Sequence, residues 1–113
     1  MSSRNEQSRL RDIVEFIDLA TRFLGDMTID QLSTDAKSVM AIERCIQCIT
    51  EAAIKIGEVR MAVIAPTVSM HEVRGLGNRL RHAYDEIDLG IIHRTITKEL
   101  PILREQCIIA LDN

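Results

Sequence analysis

The chain has 113 residues, 46% of them apolar, with a net charge of −3 and three cysteines. That length holds a single domain, residues 1–113, and the charge excludes a protein that grips nucleic acid by its overall electrostatics. Aromatics make up 3% and tryptophan is absent, so the core must come from Ile, Leu, Val, Met and Ala, a palette that favours helices over a sandwich or barrel.

The first predicted helix covers residues 5–25. Leu10, Ile13, Val14, Ile17, Ala20, Phe23 and Leu24 recur at three- and four-residue steps, and Gly25 is a natural stop. MTIDQLSTD then reads as a connector, docked by Ile29 and Leu32. A second helix starts near Thr34 or Asp35, either of which can cap it. Its broad stripe of Val39, Met40, Ile42, Cys45, Ile46, Ile49, Ala52, Ala53 and Ile56 predicts a central, largely buried element. Arg44 and Glu51 lie two turns apart along one side of it, as a solvated pair or as part of a site.

Gly57 interrupts this pattern without necessarily ending it, and Pro66 closes the segment. Ser69 and Glu72 have capping-box spacing, so a third helix starts at Met70 and runs to about Ala83. Asp88 can cap a fourth, with Leu89, Ile92, Ile96 and Leu100 as its stripe. Pro101 either kinks that helix or opens a last one holding Leu103, Cys107, Ile108 and Leu111. The expected fold is all-α, an up-and-down antiparallel bundle of four to five helices. Its surplus of Ile and Met leaves apolar face enough for a second subunit.

Cys45 and Cys48 form a CxxC inside a helical pattern, with no second CxxC and no paired histidines. A structural zinc site needs four ligands, so these thiols and Cys107 read as buried apolar groups, and no metal is expected. An odd cysteine count without a signal sequence points to a reducing cytoplasm. No apolar run reaches the roughly 20 residues needed to span a bilayer, so no membrane partner is expected.

The third helix concentrates the chemistry. Arg74, Arg79 and Arg81 stand against Glu72 alone, with His71 and His82 beside them. On a helical wheel Asn78 lies one turn before His82 and about 40° to one side, while Arg79 lies about 60° to the other. Gly75 falls close to the same line. Glycine inside a helix costs about 1 kcal/mol relative to alanine, so Gly75 and Gly77 ask for a reason, and close approach of a neighbouring helix or a twin subunit supplies one. As a dinucleotide fingerprint the pair fails, since Leu80 stands where a third glycine belongs. No cofactor is expected.

A histidine, an amide and guanidinium groups on one face suit metal-independent cutting of RNA. Imidazole titrates near neutrality and serves as general acid or base, and arginine pairs with phosphate oxygens in a bidentate fork. One histidine per chain is half of a catalytic pair, and a two-fold dimer supplies the other half. A histidine near a helix C-terminus is also simply a favourable partner for the helix dipole, and three arginines on a helix also make an ordinary solvated face.

NRLRHAYDEIDLGIIHRTITKELPILREQ resembles the C-terminal half of HepT-like proteins of the HEPN superfamily. AIERCIQCITEAAIKIGE resembles their central helix, and RLRDIVEFIDLATRF their first. The family reads arginine, asparagine, three residues, histidine, any residue, tyrosine. The resemblance implies a dimeric helical bundle that acts as the endoribonuclease toxin of a type VII-like toxin–antitoxin pair. It also implies a nucleotidyltransferase antitoxin that silences the toxin by transferring AMP to the motif tyrosine. Carried over by position, His82 is the motif histidine, Asn78 the residue after the motif arginine, and Tyr84 the AMP acceptor. The motif arginine would stand at position 77, which is glycine. Arg79, Arg81 or Arg74 would then have to bind phosphate in its place, with Arg79 nearest the His82 face. Two other readings stand beside the nuclease. One is an inactive dimeric module that binds RNA, a nucleotide or the nucleotidyltransferase. The other is a helical dimer whose basic stripe is only solvated.

Overall fold

The computed structural model describes residues 4–82 and 88–113, the side chains of residues 4 and 79–82 excepted. These residues form an all-helical bundle. The segments are α1 (Arg4–Leu24), α2 (Ile29–Ser33), α3 (Ala36–Ile56), α4 (Glu58–Ile64), α5 (Met70–His82), α6 (Leu89–Arg94) and α7 (Leu100–Asp112). A π-helical turn, Thr95–Glu99, joins α6 to α7.

Helix α1 buries Leu10, Ile13, Ile17, Ala20 and Leu24, the 3–4 spacing that keeps one side of a 3.6-residue helix on the core. Gly25 ends it with a φ of 55°, where a left-handed residue closes the last turn. Phe23 sits off the stripe and is 40% exposed. Helix α3 is central, packing against α1, α2, α4 and α5. It buries Ile42, Cys45, Ile46, Ile49, Thr50, Ala52 and Ala53. Met40, about 120° round the wheel from Ile46, falls outside that stripe and is 70% exposed. Asp35 is the cap of α3, its carboxylate accepting from the Ser38 backbone N–H at 3.0 Å.

The α1–α3 connection is more ordered than a connector. Thr28 and Gln31 form a reciprocal capping box that starts α2, and Leu32 is fully buried. Five residues are too few to show a period, so only the cap could have announced this helix. Ile29 does not dock; it is 44% exposed.

Gly57 ends α3 rather than interrupting it. Its φ of 101° is open to glycine and strained for any side chain, and α4 starts at the next residue. Two ion pairs report which helix ends lie together. Arg60 on α4 reaches Glu6 near the start of α1 at 2.5 Å, and Arg104 on α7 reaches Asp18 at 2.7 Å. The start of α1 therefore lies by the end of α3, as antiparallel packing requires.

From Leu89 to Asp112 the backbone stays helical, and Pro101 stands in the first turn of α7, the last helix, directly after the π turn. The Leu100 N–H bonds to the Thr95 carbonyl, five residues back. This wider turn comes just before Pro101, where the ring would otherwise meet the carbonyl four residues back. Ile92, Ile96, Leu100, Leu103 and Cys107 are buried along this rod. Asp88 caps it, its Oδ1 accepting from the Gly90 N–H at 2.8 Å. A Cβ on residue 90 would meet that oxygen at 3.0 Å, so glycine here makes room for the cap.

Cys45 and Cys107 are core residues and Cys48 is half-buried. Burial pushes the Cys107 thiol up to about 11, and burial, then the nearby Cys48, raises Cys45. Thiols held in the protonated form are poor nucleophiles. No described helix is long and apolar enough to cross a membrane.

Candidate functional site at the C-terminal half of α5

Helix α5 is set by its first turn. Ser69 Oγ accepts from the Glu72 backbone N–H at 3.3 Å, and Met70 is buried against the core. From there α5 runs along α3 in the opposite direction. Its start lies with Ala53 and Met61 around one cavity, and Gly77, two turns on, lies over Thr50.

That crossing decides what residue 77 can be. A Cβ there would stand 3.1 Å from Thr50 Oγ1 and 3.6 Å from Thr50 Cβ. Thr50 is 4% exposed, and its hydroxyl donates to the Gln47 carbonyl at 2.8 Å. Position 77 is thus the contact of α5 with α3. Within the described residues of the chain the close approach is found at Gly77, and the neighbour is a side chain, not a backbone. A Cβ on Gly75 would meet no described atom within 4 Å. Gly75→Ala is expected to raise stability by about 1 kcal/mol through helix propensity. A thermal melt should show this as a rise of about 4 °C.

The polar candidates divide as follows. Asn78 is exposed, as are His71 and Glu72. Arg74 is exposed and sits 3.8 Å from Glu58 on α4, a surface pair of little energetic weight that a phosphate could displace. Positions 79, 81 and 82 lie in the last turns of α5. The side chains of Arg79, Arg81 and His82 fall outside the described residues, as does Tyr84 entirely. By register, positions 75, 78 and 82 follow one side of α5, about 100–160° from Gly77 and so away from α3.

Two residues of α3, Thr50 beneath Gly77 and Glu43 further along the same helix, were not singled out from the sequence. For Thr50, a threonine amid an apolar stripe was the available signal. Glu43 lies two turns before Thr50 on the same side of α3 and is half-buried. Because α5 is antiparallel, its C-terminal turns run toward the level of Glu43. Among the described residues Glu43 has no ion-pair partner, and burial raises its carboxyl above the usual range.

A raised folded-state acid destabilises the fold only when ionised. The penalty is absent below the unfolded value near 4.5 and grows as pH rises through the folded value. Glu43→Gln is therefore expected to raise the melting temperature at pH 7.5 more than at pH 4. An equal change at both values would remove desolvation as the cause.

The described residues form an all-α helical bundle, the architecture of the HEPN class. The Ribonuclease HepT-like family model matches residues 13–108, and the chain belongs to that family. A probable ribonuclease HepT of Thermococcus cleftensis is 26% identical over 101 residues, covering 89% of this chain and 91% of that protein. Two putative RNases of Methanocaldococcus jannaschii are each 26% identical over 107 residues. These alignments cover 94% of this chain and 87% and 90% of the two relatives. No solved structure gives a significant match.

Proposed function

We propose that the protein is a metal-independent endoribonuclease, the toxin of a toxin–antitoxin pair, acting as a homodimer in the cytoplasm. The observation that carries this reading is the HepT-like match across residues 13–108, which includes the whole of α5. Exposed Asn78 and the register of position 82 on the side away from α3 support a site there.

In this reading His82 of one subunit takes the proton from a ribose 2′-OH. The freed oxygen attacks the adjacent phosphorus, and the bond to the 5′-oxygen breaks. His82 of the second subunit protonates that leaving oxygen, and the product is a 2′,3′-cyclic phosphate. Arg79, with Arg81 and Arg74, neutralises the non-bridging oxygens as charge builds, and Asn78 orients the phosphate by hydrogen bonding. Gly77 leaves no guanidinium at its own position, so these neighbours carry the task. Tyr84 is the acceptor of AMP from a nucleotidyltransferase partner.

The test is incubation of the purified protein with RNA in excess chelator. Fragments ending in cyclic phosphate are expected, and intact RNA at high enzyme concentration would refute the activity. For the regulatory half, co-expression with a neighbouring nucleotidyltransferase should add one AMP to the intact mass of wild type but not of Tyr84→Phe.

One observation favours a second reading. The packing of Gly77 on Thr50 gives that position a structural task in place of a catalytic one. An inactive dimeric module would bind RNA with a salt-dependent affinity that falls when Arg79 and Arg81 are replaced, yet cut nothing.

A further inference from the structure

The cavity between α5 and the rod formed by α6, the π turn and α7 belongs to none of this chemistry. Its volume is about 250 Å³, above the ~150 Å³ that suffices for a benzene-sized guest. The floor is α3, at Ile46, Ile49 and Ala53, and the far wall is Leu100 and Leu103. Leu76 and Val73 close it on the α5 side. An apolar body is therefore at home there.

The polar atoms around this body lean toward acceptors and negative charge. Thr50 and Thr95 are both buried, and each hydroxyl already donates to a main-chain carbonyl at 2.8 Å. Each can offer an incoming group only lone pairs. Glu72 and Glu99 add two carboxylates, acceptors at neutral pH. Glu99 has only a weak claim on it from Arg94, at 4.0 Å with both side chains more than half exposed. Among the described residues no lysine, arginine or histidine lines the cavity. Ser69 and Thr67 are the remaining hydroxyls at the mouth. Each accepts a hydrogen bond, Ser69 from the Glu72 N–H and Thr67 from the Gln106 side chain, and keeps its own proton to donate, so what the described lining lacks is positive charge, which a guest must bring.

We propose that this cavity is a binding site for a small organic cation, a primary ammonium on an apolar body of roughly benzene size or a little larger. The body packs on Ile49, Leu76 and Leu100, and the ammonium faces the carboxylates of Glu72 and Glu99. A neutral guest of the same shape gains the apolar contact alone, and an anion meets two like charges.

The experiment is methyl-detected NMR of the full chain titrated with n-hexylammonium, n-hexanol and n-hexanoate. Hexylammonium should shift the Ile49, Leu100 and Leu103 methyls saturably, with a Kd at least tenfold below that of hexanol, while hexanoate causes no saturable shift. The paired change Glu72→Gln and Glu99→Gln should erase the tenfold preference and leave the thermal melt intact, since both side chains are exposed. Leu76→Trp, at the half-buried wall, should block all three guests, with circular dichroism confirming the fold. Equal affinity for hexanol and hexylammonium would reduce the cavity to a plain apolar sink and overturn the proposal. So would hexanoate binding, or shifts confined to methyls outside the cavity.

Discussion

His82→Ala is expected to lower RNA cleavage by about 10²–10⁴-fold, the range that one general acid or base contributes. Position 82 closes α5 and lies, by register, on the side away from α3. A side chain that serves the reaction and not the core leaves the thermal melt nearly unmoved when it is truncated. The two effects must therefore separate: activity falls and the fold stays. Asn78→Ala should act in the same direction but less, because an amide that orients a phosphate transfers no proton. A His82→Ala protein as active as wild type would remove the imidazole from the reaction. Equal losses of stability and activity would make the residue structural.

Gly77→Arg is expected to lower stability by about 2 kcal/mol and to add no cleavage. The substitution looks like a repair of the family motif, yet the first atom of any side chain at 77 meets Thr50 Oγ1 at 3.1 Å. Overfilling a packed contact typically costs about 1–3 kcal/mol, and the guanidinium must then leave a buried helix crossing. Thr50→Ala removes the obstructing oxygen. The double variant Thr50→Ala/Gly77→Arg should be more stable than Gly77→Arg alone, a coupling of roughly 0.5–3 kcal/mol between touching residues. Urea unfolding of the four proteins measures it. Strict additivity would mean that α5 already has room over Thr50. A gain of cleavage in Gly77→Arg alone would mean that position 77 still opens on the reacting phosphate.

The long helices were legible because each shows its period. Leu10, Ile13, Ile17, Ala20 and Leu24 on α1 are all buried, and the caps at Asp35 and Asp88 sit where a side-chain oxygen was expected. Shorter features escaped. Helix α2 is a single turn, and its five residues show no period. The π turn before Pro101 depends on a hydrogen bond shifted by one residue, which a hydrophobic stripe does not encode. Gly57 and Gly77 look alike in the sequence and differ in kind. The first is needed for its positive φ and the second for the space taken by Thr50.

The candidate site was legible as a motif and less so as a surface. Nothing in the spacing of residues 74–82 says that position 77 faces α3, because that depends on which side of α5 the fold buries. Thr50 lies 27 residues before Gly77 in sequence and meets it only through the packing of α5 on α3. The family match gives the class of reaction, and the helical register gives the side of α5 on which it is proposed to occur.

The central claim is that the ribose hydroxyl of the substrate is the nucleophile and that no metal takes part. It is tested most directly by one comparison in excess chelator, an all-ribose oligonucleotide against the same sequence methylated at every 2′-oxygen. The all-ribose strand should be cut to fragments carrying a 2′,3′-cyclic phosphate, and the methylated strand should stay whole. Cleavage of the methylated strand, or cleavage of either strand only after magnesium is restored, would contradict it.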